Sequence, residues 1–117
     1  VLAHPFRNFP FYGGFKGNLK GIMNKVDALE VLNGRSFFWE NKTSKNTATR
    51  FGFGMIAGSD SHFGFEVGRC RTLVSPDIDI GKAIRKKITM VEGKVGLVGQ
   101  FGKGLSTLRT IKLISEH

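Results

Sequence analysis

At 117 residues the chain is long enough for one domain with a hydrophobic core. Its single cysteine, Cys70, excludes an internal disulfide and favours the reducing cytoplasm, and no apolar run approaches the roughly 20 residues that a membrane span requires. The formal net charge of +9 favours anionic partners such as phosphate esters or nucleic acid.

Strand and helix signals alternate along the first half of the chain. Two short apolar segments are predicted as strands, residues 1–3 and 28–32. The first ends at His4, which the following proline keeps extended, and the second ends in a turn that begins at Asn33. Helices are predicted over residues 19–25 and 42–53, and Asn41 or Thr43 would cap the second of them.

The second half continues this alternation. Strands are predicted over residues 55–57, 71–74 and 94–98. Asp79 is placed to cap a helix over residues 80–91, and a turn over residues 99–104 leads to a last amphipathic helix over residues 105–114. Strands that alternate with helices indicate parallel βα units, so the predicted fold class is α/β.

The most informative motif is Met-Ile-Ala-Gly-Ser-Asp-Ser-His at residues 55–62. Its apolar run stops at Gly58, and Asp60 and His62 follow two positions apart. In an extended segment, side chains at this spacing point to the same face. A carboxylate and an imidazole at the end of a strand suit zinc, manganese or iron, whereas calcium prefers oxygen ligands alone.

The segment Val-Leu-Ala-His-Pro at residues 1–5 has the same design, an apolar strand that ends in a polar residue, His4. An isolated histidine is more often a structural residue, and an isolated aspartate at such a position often caps a turn. Together at strand ends, however, the residues favour ligands. We therefore predict that His4, Asp60 and His62 meet around a shared cation.

Three segments resemble, in order and spacing, the second half of a PHP (polymerase and histidinol phosphatase) domain. They are Val-Leu-Ala-His-Pro, then Asp-Ala-Leu-Glu-Val-Leu-Asn-Gly-Arg at residues 27–35, then Ala-Gly-Ser-Asp-Ser-His-Phe at residues 57–63 with Glu-Val-Gly at 66–68. The resemblance covers residues 1 to about 75. It implies that residues 1–117 are the C-terminal portion of one distorted (β/α)7 TIM-like barrel.

The resemblance also implies an activity, the hydrolysis of phosphate esters by a metal-activated water, with two or three Zn, Mn or Fe ions in the complete domain. By motif, His4 matches a metal ligand of the family, and Asp60 and His62 match two more, which also act as catalytic residues. Neighbouring polar residues are expected to support these ligands without binding the metal: Glu30, Asn33 and Ser61.

The chain departs from the family in its histidines. A complete PHP domain opens with a His-x-His pair and supplies further His and Glu ligands before the Ala-His-Pro segment. This chain has three histidines, His4, His62 and His117, and no His-x-His. We therefore expect the parent protein to carry an upstream half with the remaining ligands, and this portion alone to be inactive.

Three arginines just past the proposed strand ends are predicted to hold the substrate phosphate: Arg7, Arg35 and Arg69. Their alternative role is ordinary surface charge. A phosphorylated small molecule, a nucleotide and an oligonucleotide are all compatible substrates. The glycine-rich residues 96–104 do not match a P-loop. A P-loop needs a glycine separated by four residues from its Gly-Lys and a Ser or Thr directly after the lysine, but this chain has Leu97 and Gly104 at these positions.

The uneven charge supports an alternative function. Residues 82–117 carry eight basic and two acidic residues, a net +6, against +3 for the ten basic and seven acidic residues in 1–81. The alternative is a non-catalytic, nucleic-acid-associated module that keeps the PHP-like fold. The survival of His4, Asp60 and His62 favours the enzyme, because a module without catalysis has little reason to hold these groups at strand ends.

Overall fold

The computed structural model describes residues 1–7 and 14–95. This part of the chain forms three α-helices and four β-strands. The helices are α1 (Leu19–Ile22), α2 (Phe38–Phe51) and α3 (Ile80–Arg85). The strands are β1 (Ala28–Asn33), β2 (Gly54–Gly58), β3 (Cys70–Leu73) and β4 (Met90–Gly93), and a 3-10 turn, Gly64–Glu66, lies between β2 and β3.

The strands form two small sheets. β1 and β2 pair in parallel and are connected through α2, as the βα prediction requires. Leu2 forms a parallel bridge to Leu29, so the N-terminal segment lies along the other edge of β1. β3 and β4 pair antiparallel, and the prediction of parallel units throughout is therefore wrong for these two strands. The fold is a mixed α/β arrangement with short sheets.

The hydrophobic core lies between β1 and α2. Its buried members are Leu29, Val31, Ala48 and Phe53. Five partly buried side chains pack against them: Leu2, Val26, Phe51, Met55 and Val91. Because this core joins β1, β2 and the N-terminal segment, it fixes the relative positions of the three parallel segments and of their carboxyl ends.

Helix α2 begins at Phe38, four residues before the predicted start, and Asn41 is inside the helix instead of capping it. The buried face of α2 is polar, with Glu40, Asn41 and Ser44 ahead of Ala48. Hydrogen bonds make this burial favourable. Glu40 Oε2 accepts the backbone N–H of Phe37 at 2.8 Å, and the Asn41 side chain bonds β1.

The third helix is shorter than predicted. The side chain of Asp79 accepts the backbone N–H of Lys82 at 2.9 Å, which confirms the predicted cap. The helix ends at Arg85, however, and Lys87 adopts a left-handed φ of 60°. Residues 90–93 then form β4, where the sequence predicts the end of a helix and a later strand.

Several predictions concern residues outside 1–7 and 14–95. They are the last part of the strand at 94–98, the turn at 99–104, the glycine-rich segment at 96–104, the helix at 105–114 and His117. Within the residues that the structure describes, no helix has the length and the apolar content of a membrane span.

Candidate functional site

Polar residues follow the carboxyl ends of the three parallel segments in the β1–β2 sheet, and we refer to this end as the sheet edge. His4 comes two residues after the bridge at Leu2, Asn33 ends β1, and Asp60 comes two residues after the end of β2. Asn33 is in register with Gly58, and the backbone N–H of Gly34 donates to the carbonyl of Gly58 at 2.9 Å. The predicted placement of these residues at one sheet edge is therefore present.

A buried glutamate and a buried asparagine connect His4 to Asp60. Glu30 Oε2 accepts the backbone N–H of His4 at 2.8 Å and the Nδ2–H of Asn33 at 3.1 Å. The same Asn33 nitrogen lies 3.4 Å from Asp60 Oδ2. We call His4, Glu30, Asn33 and Asp60 the edge network. Asn33 is 1% and Glu30 8% exposed, so the middle of this network is buried, whereas His4 and Asp60 at its two ends are partly exposed.

Asn33 also connects the edge network to the start of α2. Its Oδ1 accepts the backbone N–H groups of Arg35 and Ser36, at 2.9 and 3.0 Å. Asn41 Oδ1 accepts the backbone N–H of Asn33 at 2.9 Å, and Asn41 Nδ2 donates to the Asn33 carbonyl at 3.1 Å. A Cβ on Gly34 would lie 2.6 Å from the Ser59 carbonyl oxygen, so only glycine fits where the ends of β1 and β2 meet.

The backbone is strained at two of the predicted ligands. His4 has a φ of 27° and Asp60 a φ of 50°, in a region that residues other than glycine rarely occupy. Within the described part of the chain, Lys87 is the one further non-glycine residue with positive φ. Strain of this kind costs about 1–3 kcal/mol per residue and clusters at functional sites. Its presence at both His4 and Asp60 therefore supports a functional role for this edge.

The imidazole of His62 lies beside Asp60. Its Nδ1 is 2.9 Å from the backbone carbonyl oxygen of Asp60 and 3.9 Å from Asp60 Oδ1. A carbonyl oxygen can only accept, so this contact assigns a hydrogen to Nδ1 and leaves Nε2 as the nitrogen for a ligand. The side chain is 48% exposed. The carboxylate of Asp60 and the imidazole ring of His62 are therefore neighbours.

The three predicted phosphate-binding arginines have different environments. Arg7 donates from a terminal nitrogen to Asp60 Oδ2 at 2.7 Å, and the guanidinium of the exposed Arg69 lies 5.8 Å from the centre of the Phe65 ring. Arg35 is 1% exposed and bonds both carboxylate oxygens of Glu66 at 3.1 Å. A buried and paired guanidinium cannot reach a substrate phosphate, and we correct the prediction for Arg35 on this ground. Ser61 is exposed.

The Arg35–Glu66 pair, which the sequence did not predict, holds the loop that carries Asp60 and His62. Glu66 Oε2 accepts the backbone N–H of His62 at 2.8 Å and that of Phe63 at 3.1 Å. Burial by itself would raise the pKa of Glu66, but the N–H of His62, the charge of Arg35 and the N–H of Phe63 together lower it below the usual 4.5. Glu66 is therefore ionised and fixes the position of this loop.

In residues 1–7 and 14–95, no group of three or more His, Cys, Asp or Glu side chains is arranged to hold a metal ion. The predicted convergence of His4, Asp60 and His62 on one cation is therefore not seen among the described residues. Asp60 lies beside His62, and the backbone of His4 is connected to Asp60 through Glu30 and Asn33.

Residues 38–90 match the family model described as PHP-associated. This stretch is PHP-related. The match confirms the resemblance over α2, β2, the loop with Asp60 and His62, β3 and α3, as for a C-terminal PHP-associated region. His4, Glu30 and Asn33 precede the PHP-related stretch. No curated protein and no solved structure matches the chain significantly.

Proposed function

We propose that the chain is the C-terminal portion of a PHP-type domain, a distorted (β/α)7 barrel, that hydrolyses phosphate esters with bound Zn, Mn or Fe ions. The observation that carries this proposal is the edge network. It joins His4 to Asp60 at the carboxyl ends of three parallel segments, and Asp60 belongs to a PHP-related stretch. Active sites of α/β folds lie at this end of their strands.

The donor atoms suit these metals. Asp60 offers a carboxylate, and His62 offers Nε2 because its Nδ1 bonds a carbonyl oxygen, the usual arrangement for a metal-binding histidine. His4 would be the third ligand from this chain, and the remaining ligands would come from an upstream half. A metal ion bound there would polarise a phosphoryl oxygen and lower the pKa of a bound water.

The other residues of the site would act through position and charge. Glu30 fixes the backbone of His4, and Asn33 holds Glu30 and Asp60 in their places. Glu66 fixes the backbone of His62. Of the three arginines, Arg7 contacts Asp60 directly, so we assign to Arg7 the contact with the phosphate that is cleaved.

The test uses the full-length protein and two substitutions, Asp60→Asn and His62→Ala. We expect both variants to lose bound metal, measured by plasma mass spectrometry, and to lose hydrolysis of a panel of phosphate monoesters and diesters. The matched control is Asp77→Asn, an exposed aspartate in the turn before α3, which should keep both properties. If Asp60→Asn and His62→Ala retain metal and activity, the proposal is wrong.

One observation favours the second candidate function, the non-catalytic nucleic-acid-associated module. The guanidinium of Arg7, 2.7 Å from Asp60, neutralises that carboxylate without a metal ion. Under this alternative, the wild-type protein binds no metal and hydrolyses no phosphate ester. It would still bind RNA in a salt-sensitive manner, and Asp60→Asn would leave that affinity unchanged.

A further inference from the structure

A pair of aromatic rings follows His62 directly. The rings of Phe63 and Phe65 are parallel to within 4°, and their centres are 5.6 Å apart. Despite this contact Phe65 is 56% exposed, on the 3-10 turn at Gly64–Glu66. An aromatic pair beside the proposed phosphoesterase site offers a flat surface on which a nucleobase can stack.

A buried ion pair fixes the backbone that carries the aromatic pair. Glu66 accepts the backbone N–H groups of both His62 and Phe63, and Arg35 bonds both oxygens of Glu66. The turn that presents Phe65 is therefore fixed to the same buried ion pair as His62. A rigid aromatic surface loses little conformational entropy when a ligand binds.

A basic cleft begins next to Phe65. The guanidinium of Arg69 lies 5.8 Å from the centre of the Phe65 ring and also lines a cavity of about 530 Å³. The cavity is lined by Gly68, Arg69, Arg71, Glu92, Gly93 and Lys94. Arg71 and Glu92 pair at 2.9 Å, so Arg69 and Lys94 give the cleft its net positive charge. This charge suits a phosphate group.

We propose that the substrate is a single-stranded nucleic acid. A base stacks on the exposed part of the Phe63–Phe65 pair, and a neighbouring phosphate binds Arg69 and Lys94 in the cleft. The phosphodiester to be cleaved lies at Asp60 and His62. The cleft beyond Phe65 favours a strand over a mononucleotide, because it offers an anion site in addition to Arg7 at Asp60. The position of the cleaved bond rests on the proposed function, whereas binding to the aromatic pair and cleft does not.

The test for stacking measures the affinity of the full-length protein for a fluorescently labelled single strand of about 12 nucleotides. Binding is detected as an increase in fluorescence anisotropy, and EDTA is present so that no hydrolysis occurs. We expect Phe65→Ala to weaken binding roughly 5- to 150-fold, as the loss of one stacked base does. The matched control is Phe38→Ala, since Phe38 is 70% exposed but lies on α2, and its affinity should be unchanged.

The test for the cleft is the dependence of the affinity on salt. Arg69→Gln should reduce the slope of log K against log salt by about 0.7, the value for one phosphate contact to a single strand. Its matched control is Arg50→Gln, because Arg50 also lies over a phenylalanine, 5.4 Å from the Phe51 ring, but at the C-terminal end of α2.

Three results would overturn the proposal. The first is an equal effect of Phe65→Ala and Phe38→Ala on the affinity, and the second is equal affinity for a strand that lacks bases. The third is a change of oligomeric state in Phe65→Ala with unchanged affinity, since Phe65 would then contact a second copy of the protein. If Phe65 and Arg69 govern binding but no phosphate ester is hydrolysed, the inferred binding of a single strand stands and the proposed function fails.

Discussion

Replacing Glu66 by alanine is expected to lower the free energy of unfolding by about 3–5 kcal/mol, the usual cost of removing one partner from a buried ion pair. The side chains of Arg35 and Glu66 are 2% and 3% exposed, so the substitution leaves the Arg35 charge buried without its carboxylate. It also removes the acceptor of the His62 and Phe63 N–H groups. Chemical denaturation of the full-length protein measures the effect.

The matched control is Glu92→Ala. Glu92 also pairs with an arginine, Arg71, at 2.9 Å, but these side chains are 51% and 57% exposed. Exposed pairs contribute about 0–1 kcal/mol, so this variant should lose no more than that. Equal losses for Glu66→Ala and Glu92→Ala would mean that burial of the Arg35–Glu66 pair does not anchor the loop.

The lowered pKa of Glu66 predicts the pH dependence of stability. A carboxyl whose pKa is lower in the folded state than the 4.5 of the unfolded chain stabilises the fold fully above pH 4.5. That contribution is lost as the pH falls below 4.5 and through the lowered folded value. Glu66→Gln has no such group, so its stability deficit relative to wild type should shrink on acidification over this range. A constant deficit between neutral pH and pH 3 would contradict the lowered pKa.

The parts of the fold that the sequence predicted well are those that local signals determine. β1, β2 and the cap at Asp79 were predicted because apolar runs and a capping side chain are local. The start of α2 was not, because its buried face carries Glu40, Asn41 and Ser44 and shows no apolar period. The sequence predicted a helix where β4 forms, since the helical spacing extends past Lys87 and pairing with β3 is a tertiary contact.

The same distinction applies to the site. The positions of His4, Asn33 and Asp60 at one sheet edge followed from strand ends, which the sequence marks. The partners of the arginines did not, because Arg35 and Glu66 are 31 residues apart and Arg7 and Asp60 are 53 apart. Only the folded chain brings such residues together. The burial that turned Arg35 from a predicted phosphate ligand into a structural residue is therefore a tertiary property.

The second large effect is expected for Asn33→Asp. The change replaces the Nδ2 donor with an acidic oxygen at 3.1 Å from Glu30 Oε2 and 3.4 Å from Asp60 Oδ2. Two hydrogen bonds to carboxylates are lost, and like charges repel in a buried position. We expect the free energy of unfolding at neutral pH to fall by about 3 kcal/mol or more, since each hydrogen bond to a charged group contributes about 1.5–3 kcal/mol.

Asn46→Asp is the control, because Asn46 is an exposed asparagine on α2, where the same change should stay within about 0.5 kcal/mol. Zn or Mn should reduce the deficit of Asn33→Asp if the edge network lies beside a metal site, since a cation neutralises the same charges. A deficit that neither metal reduces would place the metal of the proposed phosphoesterase elsewhere.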